Sequence, residues 1–515
     1  MLWRKCTSNI LIFAFAMLGF YEPASSADSK AKEILHPFEA YNEAYDENGK
    51  LRPAFQALKK RIKKNPLKPK PIAASILSSS PMGDDIKILP LPWALSRLEF
   101  QFIQKATAQR AEALRKLFID LFINEEPEIL KKGIFSKDFI EQLCLNETQR
   151  SYESIRNFWK RRNPDDVSFI YGPDLARLIS GIWVFIEDNV GNIGGRADTF
   201  HLKEPFSIVT GIKSQEKSTD DFVSAIKVFM QNAGTSPEKT LAIFDFDKDK
   251  DDEDKTPFSF KDKENIRELM ALESAGIEKI FDGTDLNRKK LKGLMDKIDN
   301  ESIEALLLID HPNGTWDVYD EWLEFLAARP NLKIFNGPFV NTLSSKALLP
   351  YMDQITEFFE GQTPHIKTLE SFPVQNLADL DAAEELYGEN FILKTTNGTQ
   401  GEEVYPRAKY PEKNWKAIRK YLDTLRAWGK YNDREFPNFV VQPFVNFSYL
   451  PTETPWIQFM LDLRPITYVF MGSVMPGTSP WARANMRLGK NLTNVSQGAF
   501  ETVVFIEDCE ASLLD

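Results

Sequence analysis

An apolar run, Ile182 to Ile186, ends in Glu187-Asp188-Asn189. Side chains of an extended strand alternate between its two faces, so Glu187 and Asn189 share one face and Asp188 takes the other. Two oxygen donors on one face can converge on a single cation. Magnesium suits such a pair, because it takes few protein oxygens and completes its octahedron with water and phosphate. Asp174, in the neighbouring segment GPDLAR, is the third candidate ligand. Asp188, pointing to the opposite face, is expected to take no part in that cation site and is the control for Glu187 and Asn189, polar strand-end residues that should contribute little to the core.

A second group is basic. Lys346 opens an expected helix over 344–352, and Lys394 ends the expected strand Asn390 to Thr395. A lysine behind apolar strand residues is partly shielded from water and is retained there when an anion stands opposite. The loop after Lys394 contains Gly398, Thr399 and Gly401, and its glycines let backbone N–H groups approach phosphate oxygens closely. A third group lies near the C-terminus. Asp462-Leu463-Arg464-Pro465 ends one strand, Met475-Pro476-Gly477 turns the chain, and Arg483, Arg487, Asn494, Gln497 and Gly498 follow. Arginine forks suit a carboxylate or an acyl-phosphate, with surface salt bridges as the alternative.

Other chemistries find little support. The 3 cysteines, Cys6, Cys144 and Cys509, include no CxxC pair, and the 4 histidines have no metal-ligand spacing. Asp247, Asp249 and Asp251 alternate like calcium ligands, but Asp252 stands where the loop needs glycine and Phe258 where it needs glutamate. That stretch reads as a solvated acidic loop. A net charge of -11 argues against a nucleic-acid partner. The lysine-rich run from Lys59 to Lys70 reads as a solvated helix end.

The elements that must position these groups fall into six segments. Residues 1–27 carry a basic start, an apolar run from Ile10 to Phe20 and the small-residue stretch Ala24 to Ala27, the order of a signal peptide. Export, periplasmic or secreted, is therefore expected, and a cytoplasmic location if that start is misread. No later stretch is apolar enough to span a bilayer. Residues 28–165 form a mainly helical N-terminal region, with a turn at Asn48-Gly49 before an amphipathic helix, and Arg110 to Asn124 as a second helical stretch. Residues 166–204 hold the metal-binding core segment. Across 205–340 helices and strands alternate, with strands expected at Leu241 to Phe246, Ile277 to Phe281, Ala305 to Ile309 and Leu332 to Phe335, the pattern of a Rossmann-like parallel sheet. It carries no GxGxxG after a strand. Residues 341–438 make a lid bearing both lysines, and 439–515 the C-terminal part of the core. The fold class is α/β (α+β). Cys144 and Cys509 could pair if the fold brings them together.

Nine fragments, in this order, resemble the circularly permuted ATP-grasp family, which is similar in its core to glutathionylspermidine synthetase: YNEAYDENGKLRPAFQAL, RAEALRKLFIDLF, GPDLAR with WVFIEDNVGNIGG, KIFNGP with SSKALLPYM, FILKTTNGTQGEEVY, NFVVQPFV, LDLRP, MPG and NLTNVSQGAF. The resemblance covers residues 38 to 505, with gaps around 205 to 330. It rests on the collinear order rather than on one motif.

The resemblance implies an ATP-grasp fold whose metal-binding segment precedes the lid. It implies Asp174, Glu187 and Asn189 as magnesium ligands and Lys346 and Lys394 on the phosphates of ATP. Gly398, Thr399 and Gly401 would lie in the phosphate-covering loop, and Gln442 would start the hinge beside the adenine. Arg464 and Arg483 would act near the reacting phosphate or carboxylate. The implied activity is an ATP-dependent carboxylate–amine ligase acting through an acyl-phosphate, on small-molecule or peptide carboxylate and amine substrates. Three departures stand out: Pro443 where the family hinge has an acid, a loop with only two glycines, and Ile309-Asp310-His311-Pro312 where the family has an arginine pair. They motivate the alternative of an exported scaffold or binding protein that has lost catalysis. The sequence sets no oligomeric state.

Overall fold

The computed structural model describes residues 40–64, 87–89, 91–191, 193–196, 202–203, 206–207, 221–244, 263–283, 286–309, 316–396, 404–409, 412–427, 437, 439–451, 458–486 and 499–509. The expected signal peptide, the acidic loop and the calls on Gly398, Thr399, Gly401, Arg487, Asn494, Gln497 and Gly498 lie outside the described residues.

The first part is mainly helical. Helix α1 (Pro53–Lys64) follows the turn at Gly49, and two short strands, β1 (Lys87–Ile88) and β2 (Trp93–Ser96), lead into the long helix α2 (Arg97–Phe122). Ser96 caps α2 by accepting a hydrogen bond from the Glu99 amide, which satisfies an N–H that the first turn leaves without a helical partner. The helix thus starts 13 residues before the expected Arg110. Three further helices, α3 (Glu128–Lys131), α4 (Lys137–Thr148) and α5 (Tyr152–Trp159), complete the layer.

Strands β3 (Phe169–Tyr171), β4 (Asp174–Arg177) and β5 (Trp183–Glu187) follow. The alternating region is α6 (Asp221–Ala233), β6 (Thr240–Phe244), α7 (Lys263–Ser274), β7 (Ile280–Asp282), α8 (Arg288–Asn300), β8 (Ala305–Leu308), α9 (Trp316–Ala327) and β9 (Lys333–Phe335). Its strands form an all-parallel sheet in the order β7-β6-β8-β9. Both faces are covered, as parallel sheets require. Leu241, Ile243, Leu306 and Leu308 enter one core, while Ala242, Phe244, Ala305 and Leu307 enter another.

Lys346 does not open an α-helix. Residues Val340–Ser344 and Lys346–Tyr351 form two 3-10 turns, and the helix proper is α10 (Met352–Glu360). Pro350 explains the difference, because it lacks an amide hydrogen and its ring disfavours the α conformation at Leu349.

After β10 (Lys367–Thr368) comes a compact unit of β11 (Phe372–Val374), α11 (Leu377–Tyr387), β12 (Phe391–Thr395), β13 (Val404–Pro406), α12 (Glu412–Ala427) and β14 (Phe439–Pro443). Its antiparallel sheet runs β11-β14-β12-β13 and has a core of its own, built on Phe391, Leu393, Trp415, Leu422 and Val441. The chain ends with β15 (Tyr449–Pro451), β16 (Gln458–Arg464), β17 (Thr467–Phe470), β18 (Ser473–Pro476), β19 (Trp481–Met486), β20 (Phe500–Thr502) and β21 (Val504–Glu507). The largest sheet joins distant parts of the chain in the order β1-β20-β19-β16-β4-β5-β10, with β15 also on β16. The molecule is therefore mixed α/β, with parallel and antiparallel sheets. Cys144 and Cys509 are both free thiols, Cys144 in one hydrophobic core and Cys509 beside another.

Candidate functional site

The largest sheet sets a row of charged residues side by side. Asp462 on β16 stands opposite Arg483 on β19, and Asp174 on β4 stands opposite Glu187 on β5. Arg464 lies two residues beyond Asp462, on the same face of β16. A register shift between Asp174 and Leu175 turns Asp174 toward Glu187, the local re-aiming that a bulge provides.

The arginines are buried, 8 % exposed for Arg464 and 7 % for Arg483, so they are not surface salt bridges. Arg464 grips Asp174 with two nitrogens, at 2.7 Å and 3.0 Å, and its Nη1 donates to the Gly194 carbonyl at 3.1 Å. Arg483 grips Asp462 at 2.9 Å and 2.6 Å, and its Nη2 also lies 2.9 Å from Asp174. Both guanidinium groups lie 5.1 Å from the Trp481 ring. Gly195, at φ +83°, passes over that ring so closely that any Cβ would sit 2.1 Å from it. Only glycine fits there. Burial opposes ionisation of Asp174, but Arg464 and Arg483 outweigh it and hold the carboxyl well below the usual carboxylate range.

Above Glu187 the two lysines converge from separate elements. Lys346 Nζ lies 3.0 Å from Glu187 Oε1, and Lys394 Nζ donates to the Ile186 carbonyl at 3.1 Å. Each lysine is 6 % exposed. Burial lowers the pKa of the Lys394 ammonium, with Glu187 pulling partly the other way. Burial would raise Glu187, but Lys346 and Lys394 more than offset it, so its carboxyl is lowered. Among the described residues no carboxylate stands within ion-pair distance of Lys394. Its ammonium has three donors, of which the Ile186 carbonyl takes one. Gln442 reaches the same carbonyl at 3.4 Å and the Ser371 hydroxyl at 2.9 Å. The lysines are tied through the backbone too, since the Lys346 amide donates to the Thr396 carbonyl at 3.1 Å.

The structure thus brings together Asp174, Glu187, Lys346, Lys394, Gln442, Arg464 and Arg483. Asn189 follows in the same loop, where its Nδ2 donates to the Gly172 carbonyl at 3.0 Å and Oδ1 remains as acceptor. Among the described residues no three His, Cys, Asp or Glu side chains form a metal-holding group. Magnesium demands less than that, and Glu187 with Asn189 Oδ1 fits its donor chemistry. Asp174 does not offer a free oxygen, because Arg464 and Arg483 engage both.

Asp188 needs correcting. It is 4 % exposed, and Arg110 of α2, 2 % exposed, binds it through two nitrogens at 2.7 Å and 2.6 Å while the Tyr171 hydroxyl donates at 2.7 Å. The alternation placed it on the far face, but that face is core rather than solvent. It is half of a buried ion pair, so it is no neutral control for Glu187 and Asn189: replacing it would disturb the core.

Sequence reasoning missed Glu147, near the end of α4. Its carboxyl faces Ser345 and Lys346, and burial pushes it up to about 7. No spacing announces this contact, which depends on a helix meeting a turn some 200 residues later. The chain matches no protein-family model and no curated protein.

Proposed function

We propose that the chain is an ATP-dependent carboxylate–amine ligase of the circularly permuted ATP-grasp type. The observation that carries this reading is Lys394, a buried cation with no ion-pair partner among the described residues and two donors to spare. Such a group calls for an anion opposite it, and Lys346 stands on the same Glu187 edge. A polyphosphate chain supplies the missing charge.

In this reading Lys346 and Lys394 bind the phosphates, Gln442 lies on the adenine side, and Glu187 with Asn189 would hold magnesium. When bound, the metal would neutralise charge on the phosphate oxygens. Asp174 and Asp462 fix the guanidinium planes of Arg464 and Arg483, which orient a substrate carboxylate. A carboxylate oxygen attacks the γ-phosphorus and the bond to the β-bridging oxygen breaks, giving ADP and an acyl-phosphate. The nitrogen of an amine then forms the amide as phosphate leaves and the amine proton is lost. Preorganised cations of this kind are worth most where water is excluded.

Pro443 favours a second reading, a binding protein that has lost catalysis: it is half-buried at the end of β14, directly after Gln442, and has no side chain to accept a hydrogen bond from the adenine amino group. Turnover separates the two. ATP cleavage to ADP and phosphate that requires an added amine supports the ligase, nucleotide binding without turnover supports the scaffold, and no magnesium-dependent binding at all refutes both.

A further inference from the structure

Three segments meet beside Lys346. The C-terminal turn of α4 contributes Asn146 and Glu147, the 3-10 region contributes Asn341, Ser345 and Lys346, and the end of β12 contributes Thr396. The Asn341 amide donates to the Glu147 carbonyl at 3.1 Å, and Asn146 Nδ2 lies 3.4 Å from Thr396 Oγ1. The Ser345 hydroxyl stands 3.5 Å from the Thr396 carbonyl, which also accepts from the Lys346 amide. Within this junction Glu147 Oε1 is sealed from solvent and has no hydrogen-bond partner.

A buried carboxylate oxygen without a donor is costly when charged. The carboxyl sits against Ser345, a weak donor, and Lys346, whose ammonium is already 3.0 Å from Glu187. Glu147 and Glu187 thus compete for one lysine. Lys346 is the charged group that faces Glu147. Asn146, Asn341, Ser345 and Thr396 are neutral, and Glu187 and Lys394 stand behind Lys346.

We propose that Glu147 is a positioning residue that gates the anion site by its protonation, admitting a phosphate chain when neutral and opposing it when ionised. The proposal rests on the phosphate-binding role given above to Lys346. The ionised carboxylate draws on Lys346 and adds a negative charge beside the place where phosphate binds. Protonation removes both effects, so binding an anion takes up a proton. Burial, which already pushes this carboxyl up to about 7, puts the change near neutral pH. By linkage, if the bound anion shifts the carboxyl by about one further pH unit, affinity falls roughly fivefold as pH rises from 6 to 8.

The test is calorimetric titration of the full chain with magnesium-ATP and, in parallel, inorganic triphosphate at pH 6 and pH 8, in buffers of different ionisation enthalpy. Wild type should take up protons on binding and lose about fivefold in affinity at the higher pH. Glu147→Gln should bind with pH-independent affinity and little proton uptake, and Glu147→Asp should restore the pH dependence with a shifted midpoint. Thermal melting checks that the variants are folded. Equal proton uptake in wild type and Glu147→Gln would overturn the gate while leaving the nucleotide reading intact. Binding of triphosphate but not ATP would overturn the nucleotide reading and leave the gate to be judged on triphosphate. If neither binds, both fall.

Discussion

Lys394 on β12 and Asp188 just beyond β5 show how differently two buried charges behave. Asp188 has its partner within the fold, so removing it leaves Arg110 in the core with only the Thr368 hydroxyl at 2.8 Å and Asp353 at 3.9 Å. Asp188→Ala should cost about 3–5 kcal/mol in urea unfolding, and a change below about 1 kcal/mol would contradict the buried pair. Lys394 has no carboxylate partner among the described residues, so its burial is a cost that the free protein carries. Lys394→Met should melt no lower than wild type yet weaken magnesium-ATP binding by about 2 kcal/mol, roughly thirtyfold, the loss of charged hydrogen bonds to phosphate. A lower melting temperature with unchanged affinity would make the lysine structural.

The carboxyls also make opposite predictions with pH. Asp174 is held below its unfolded value of about 3.9, so its contribution is present above that pH and lost as pH falls. Glu147 is raised to about 7, so its contribution to stability is full below about 4.5 and is lost as pH rises toward 7. Urea midpoints measured from pH 3 to pH 8 should show Asp174→Asn flattening the acid limb and Glu147→Gln flattening the neutral one. The same slopes in both variants as in wild type would refute these assignments.

Among the elements, the β11-to-β14 unit has its own core, and Trp415 is its centre. The indole packs edge-on to Phe391 at 5.7 Å and its Nε1 donates to Glu384 at 2.7 Å. Trp415→Ala should cost about 3–5 kcal/mol within that unit. Hydrogen exchange should then rise in β12 and β14 while β6 and β8 stay protected, and nucleotide affinity should fall with the placement of Lys394. Uniform deprotection would show one cooperative core instead.

This unit and the parallel sheet were the most legible parts of the sequence, because their strands are short apolar runs between helices of clear periodicity. The Glu187 face was legible for the same reason, as period-two alternation needs only neighbours. The start of α2 is readable too, in the capping spacing of Ser96 and Glu99, though Leu98 and Phe102, apolar yet exposed, blur the apolar stripe of its first turns. The turn around Lys346 reads as helix in the sequence because the helical pattern continues through Pro350 while the backbone does not. The pairing of Asp174 with Arg464, 290 positions away, depends on strand order in the large sheet, which local pattern does not encode.

For the whole molecule, the site draws on β4, β5, the turn at Lys346, β12, β14, β16 and β19, so it exists only when segments from Asp174 to Met486 have folded together. No helix among the described residues is long and apolar enough to cross a membrane. Export is an expectation from the N-terminal 27 residues, and it collides with the ATP-dependent reaction proposed above. Fractionation with mass spectrometry of the mature N-terminus decides between them: a chain beginning at Asp28 outside the cytosol is the expected result, and an intact Met1 chain in the cytosol would refute export and ease the supply of nucleotide.

The most direct measurement of the central claim is calorimetric titration of the full chain with ATP, with and without magnesium, against the double variant Lys346→Ala/Lys394→Ala. The expected result is one-to-one, magnesium-dependent binding in wild type that the double variant abolishes while it remains folded. Absence of heat in wild type, or undiminished binding in the double variant, would contradict the account.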